Sequence, residues 1–189
     1  MKKLLLILIV NIFLLQNIEG QNLIKNLSNG ALIIRLKTNE NIINYYLDKN
    51  DTAQANKEKE KQKNRNIEII ETFQKEWSLS PVYFFYSKYS NQIKENNLNN
   101  VFKDIHETKL SESEKIHISN NFVIGYFGKT TGSLKFDALL LTDDKFQLLK
   151  KPQPRSVRTY KGLWLLKRKL NRIIQILDRK IRFYYLRIQ

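Results

Sequence analysis

The sequence predicts an α/β domain: a central mixed sheet flanked by helices, in the order β-α-β, then a β-hairpin and a C-terminal helix. Three observations carry this. After the turn pair Asn29-Gly30, Leu32, Ile34 and Leu36 alternate with more mixed residues, the two-residue period of a strand. The stretch Pro81-Val82-Tyr83-Phe84-Phe85-Tyr86-Ser87 is continuously apolar and aromatic, as in a strand covered on both faces. Residues 163–187 close the chain with apolar side chains at helical spacing.

The elements follow in order. A strand spans residues 31–37, and Thr38-Asn39-Glu40 supplies capping chemistry for a helix whose apolar side is Ile42, Ile43, Tyr46 and Leu47. A longer helix is expected from Thr52 to Trp77; its first half is charged all round, and its second half places Ile67, Ile70, Phe73 and Trp77 on one side. A disordered linker is the alternative for residues 50–66. Residues 88–121 read as polar, with a short helix around Asn91–Lys94. Apolar strands are expected at Phe122–Gly128 and Leu134–Thr142, and a short one at Phe146–Leu149 after a turn at Asp143-Asp144. Pro152 and Pro154 stiffen an extended connector, and Gly162 precedes the last helix.

The first 20 residues carry an export signal. Lys2-Lys3 forms a positive start, Leu4 to Leu15 is apolar but for Asn11, and small Gly20 suits the cleavage position. The apolar run is shorter than the roughly 20 residues a spanning helix needs. The reading is therefore a signal peptide at 1–20 and a single α/β domain at 21–189, periplasmic or secreted. There is no cysteine, and the one methionine is Met1, so the chain after cleavage contains no sulfur. Thiolate catalysis, cysteine-ligated zinc, iron–sulfur clusters and covalent c-type haem are excluded.

Charge is uneven along the chain. Of 33 basic residues thirteen lie in residues 150–189, against one of the 18 acids, Asp178. Such asymmetry points to an anionic partner. In an exported protein, nucleic acid fits poorly; an anionic membrane surface, an acidic glycan or an envelope protein fits better.

The order of elements resembles the thioredoxin-like arrangement, without the Cys-x-x-Cys that carries its redox chemistry. The segments Ser80-Pro81-Val82-Tyr83-Phe84-Phe85-Tyr86-Ser87, Phe136-Asp137-Ala138-Leu139-Leu140 and Pro154-Arg155-Ser156-Val157-Arg158-Thr159-Tyr160 are similar to a family of uncharacterised exported bacterial proteins. That resemblance implies export and supplies no activity.

No catalytic motif is recognisable. Gly125-Tyr126-Phe127-Gly128-Lys129-Thr130 has the ending of a phosphate-binding loop, but Val123 stands where the first glycine belongs and a strand follows. A hairpin turn is the reading. Asp143-Asp144 reads as a turn in preference to a cation site. His106 and His117, with Asp104, Glu107, Glu112 and Glu114 nearby, lack a ligand register and read as a solvated loop. No cofactor is expected.

The C-terminal helix is the informative element. Leu163, Leu166, Leu170, Ile173, Ile174, Leu177, Ile181, Tyr184 and Ile188 form its packing stripe. On the opposite side Leu165, Ile176 and Phe183 fall among arginines that include Arg168, Arg172 and Arg179. These six are the expected contact with an anionic surface. The functional expectation is a non-enzymatic binding module of the cell envelope. The alternative is a hydrolase- or transferase-type enzyme with its site at strand ends, near Thr38, Ser87, Asp143 and Asp144.

Overall fold

Five of the six residues of β1 (Ala31–Leu36) are buried, and the sheet is built outward from this strand. The structure is a computed structural model that describes Ile24 and residues 27–119, 121–162 and 166–188; the expected leader lies outside the described residues. β1 pairs in parallel with β2 (Val82–Tyr86) on one side and β3 (Phe122–Lys129) on the other. β3 turns into antiparallel β4 (Asp137–Thr142), which pairs with antiparallel β5 (Ser156–Arg158). The sheet order is β2-β1-β3-β4-β5. The α/β class and mixed sheet are as the sequence predicts.

Parallel neighbours require crossovers. α1 (Glu40–Asp48) and α2 (Thr52–Glu76) connect β1 to β2; α3 (Ser90–Lys94) and α4 (Glu112–Ile118) connect β2 to β3. Because side chains alternate along a strand, β1 feeds two cores. Leu32, Ile34 and Leu36 meet Ile69, Ile70 and Phe73 of α2 and the inner face of α5 (Leu170–Ile188). Ala31 and Ile33 meet Phe85, Ile93 of α3 and Ile118 of α4 on the other face.

Helix α2 is continuous through the stretch for which a linker is the alternative reading. Asp51 caps its start, its side chain accepting from Gln54 N–H at 3.0 Å. Buried Asn66 donates through Nδ2 to the Lys37 carbonyl at 2.9 Å and accepts from Gln62 Nε2 at 3.0 Å, so α2 is tied to the end of β1.

In α1 the N-cap Asn39 makes no side-chain cap bond and the apolar side stays largely open, with Ile42 and Leu47 exposed; four other local expectations change. Residues 146–149 form no strand: Leu148 makes a single bridge to Thr142, and the fifth strand is Ser156–Arg158, inside the expected connector. β4 begins at Asp137 and not at Leu134. The polar region contains α4, whose Ser111 and Glu114 close a capping box. The last helix begins at Leu170, not near residue 163. After Gly162, whose φ of 69° turns the chain, Lys161 N–H donates to the Leu166 carbonyl at 2.9 Å and Lys167 bridges to Tyr160. Leu166 is consequently exposed and outside the packing stripe, and Leu163 lies outside the described residues.

Phe73 is fully buried where α2 meets the sheet. Phe73→Ala should lower stability by about 3–5 kcal/mol, the usual range for emptying a buried aromatic site. Exposed Lys59→Ala on the same helix should stay within about 0.5 kcal/mol. Urea unfolding followed by circular dichroism measures both.

Candidate anionic-surface site on the C-terminal helix

Helix α5 packs inward through Leu170, Ile173, Ile174, Leu177, Ile181 and Tyr184, all buried. Their spacing leaves an outer arc in which Arg172, Arg179, Arg182, Phe183, Leu186 and Arg187 are exposed. Phe183 is 59% exposed and Leu186 72%. Exposure this large also occurs at Ile116 and Leu134; what distinguishes Phe183 and Leu186 is that they stand together on one helix face between cations, the mixture an interfacial helix presents. Ile176 is half-buried at the rim, packed against the core. Beside it runs a groove of about 390 Å³, bounded by Pro152, Pro154, Arg179, Phe183 and Arg187.

The electrostatics of the face are one-sided. The helix's acid, Asp178, is held by Arg182 Nε at 2.7 Å, and Arg182 Nη2 also reaches Ser78 Oγ at 2.9 Å. Lys180 donates to the Ser156 carbonyl at 3.0 Å, joining α5 to β5. Its pKa is pushed below the ordinary lysine value, first by burial and then by the positive charges of Arg168 and Arg158. Among the described residues, Arg172, Arg179 and Arg187 form no ion pair.

Of the six residues expected at this site, the structure brings Arg172, Ile176, Arg179 and Phe183 onto one helix. Leu165 lies outside the described residues. Arg168 belongs elsewhere. It precedes the helix, its Nη1 donates to the carbonyls of Arg158 and Tyr160 at 2.7 Å each, and its N–H donates to the Thr159 carbonyl. It is a clamp closing the loop after β5. Leu186 and Arg187 join the face without being among the six, although Leu186 continues the line from Phe183 at a spacing of three.

The other candidates resolve into local structure. Asp143 Oδ1 accepts from Lys145 N–H at 2.9 Å and Gln147 N–H at 2.7 Å, and Asp144 pairs with Lys145, which is turn chemistry. Gly125 to Lys129 lie within β3, followed by bends that lead to β4. Near the histidines the carboxylates have partners. Asp104 accepts from the N–H groups of His106 and Thr108, Glu107 from Tyr86 hydroxyl, and Glu112 pairs with Lys115. Glu114 accepts from Lys103 and Ser111, which pulls its pKa down to about 2. His117 sits in α4, not in a loop, and among the described residues no three His, Asp or Glu side chains are grouped to hold a metal ion. Thr38 and Ser87 do meet, with their hydroxyl oxygens 3.1 Å apart. Asp143 follows Thr142, which pairs with Ile124, whereas Thr38 lies beyond Leu36; the two sites are at opposite ends of the sheet.

Comparison with known proteins finds no matching family model, no matching curated protein and no matching solved structure. The site therefore rests on its own geometry. Among the described residues no helix is long and apolar enough to cross a membrane.

Reassigning Arg168 has a measurable consequence. Arg168→Ala removes two charge-assisted bonds to carbonyls and should lower stability by about 1–3 kcal/mol. Arg179→Ala, on the open face, should change it by less than about 0.5 kcal/mol. Thermal melting of the two variants checks the contrast.

Proposed function

We propose that this is an exported, non-enzymatic protein of the bacterial cell envelope that attaches to an anionic membrane surface through the outer face of α5. The observation that carries the reading is the exposure of Phe183 and Leu186 among Arg172, Arg179 and Arg187. Apolar side chains insert at the headgroup boundary while the arginines meet lipid phosphates, and the inner stripe keeps the helix docked on its own domain. The charge run at Lys2-Lys3, the apolar run and Gly20 support export. The enzyme alternative places its site near Thr38, Ser87, Asp143 and Asp144; Thr38 and Ser87 meet, but at the opposite end of the sheet from Asp143 and Asp144, which favours the binding reading.

Two measurements test this. Intact-mass analysis of the protein from the native envelope should give a chain beginning at Gln21; a mass retaining residues 1–20 removes the export reading. Vesicle co-sedimentation tests the surface. Each basic residue near an anionic membrane contributes about 1 kcal/mol, so Arg172→Gln, Arg179→Gln and Arg187→Gln together should weaken attachment by roughly a hundredfold. Raised salt should act in the same direction through screening. Equal sedimentation of the folded triple variant, or none by the wild type, rejects the membrane as partner.

A further inference from the structure

From β1 the chain moves outward to β2, then returns across β1 to β3. The two crossovers lie on opposite faces, α2 in one core and α3 with α4 in the other. Where the winding reverses in an open sheet, the connections part outside the carboxyl ends of the flanking strands and leave a crevice. In this chain that place is the end of β1 and β3, and a cleft of about 460 Å³ lies there. Its size suits a small molecule.

We infer that this cleft binds a small phosphate-bearing polyanion, at a site separate from the outer face of α5. Five cations line it, Arg35, Lys37, Arg65, Lys129 and Lys167, against one carboxylate, Asp137. They come from the end of β1, from α2, from the end of β3 and from the segment before α5, so the fold converges them from across the sequence. Among the described residues only Arg65 of the five forms an ion pair, with Glu68 of its own helix. Lys129 stands opposite Asp137 in the β3–β4 register without forming one.

Arg35 borders the cleft from the strand end, but its side chain, on the same face of β1 as Ala31 and Ile33, turns toward α3, where it is half-buried among neutral partners. Its Nε donates to Ser90 Oγ at 2.9 Å, and its Cζ lies 6.0 Å from the Tyr126 ring centre and 5.9 Å from that of Phe146. A second hollow shares Arg35, Lys37 and Asn39, so the positive lining continues around the strand end. Cations that outnumber the nearby carboxylates repel one another, and a bound anion relieves that repulsion. Phosphate suits the set because arginine binds it with a planar fork and lysine as a point charge. The wall is held in place before any ligand arrives: buried Asn66 fastens α2 to the Lys37 carbonyl.

The test is isothermal titration calorimetry of the purified protein with inorganic pyrophosphate at low salt. One pyrophosphate should bind per chain. Lys37→Gln with Lys129→Gln, both exposed side chains, should weaken binding by about a hundredfold, roughly tenfold for each charge-assisted hydrogen bond removed. The triple α5 variant Arg172→Gln, Arg179→Gln, Arg187→Gln should leave the affinity unchanged, which separates this site from the membrane face. Citrate should bind at least about tenfold more weakly than pyrophosphate. Absence of saturable binding, an unchanged affinity in a folded cleft variant, loss of binding in the α5 variant, or equal binding of citrate would each overturn the assignment.

Discussion

Strand β1 has to be kept dry on both faces, and the arrangement of the chain follows from that requirement. Ala31, Leu32, Ile33, Ile34 and Leu36 have no exposed surface. One face needs α2 and α5 and the other needs α3 and α4, so the chain must pass over both sides of the sheet. Right-handed crossovers reach opposite faces only when the chain leaves β1 in one direction and returns past it in the other. That reversal parts the connections at the strand ends, where the basic cleft lies. Burial of one short strand thus dictates where a hollow can form at the end of the sheet.

The parts legible in the sequence are those where burial imposes a strong period. β1 is read from its alternation, β2 from its continuous apolar run and α2 from Ile70 and Phe73, although Ile69 is buried in α2 and the expected Ile67 only half-buried. β5 cannot: Val157 is its one buried residue, between Ser156 and Arg158, and a three-residue strand has no period to detect. The start of α5 is misread for a different reason. Leu163 and Leu166 fit the helical spacing, but the Leu166 carbonyl accepts from Lys161 N–H and Lys167 bridges to Tyr160, ahead of the helix. α4 does leave a signal, the Ser111-to-Glu114 capping spacing, which the polar composition of its surroundings obscures. The cleft leaves none, since Arg35, Lys37, Arg65, Lys129 and Lys167 meet only through topology.

The concentration of positive charge near the C-terminus also divides once the fold is known. Arg168 holds two carbonyls after β5, Lys180 holds the Ser156 carbonyl, and Arg182 holds Asp178 and Ser78. These cations serve the fold: they satisfy acceptors at a loop and at the edge of the sheet. Arg172, Arg179 and Arg187 are left facing outward. Net charge thus overstates the charge offered to a partner, and hydrogen bonding to the backbone decides which residues remain.

Tyr185 gives the two ends of the described chain a shared anchor. Its hydroxyl donates to the Ile24 carbonyl and accepts from the Ser28 N–H at 3.0 Å, beneath which Ile24 and Leu27 are fully buried. The segment leading into β1 is therefore fastened to α5 before it reaches the sheet. One side-chain hydroxyl near the C-terminal end thus fixes where the N-terminal segment enters the sheet, and losing it breaks bonds to two backbone groups at once.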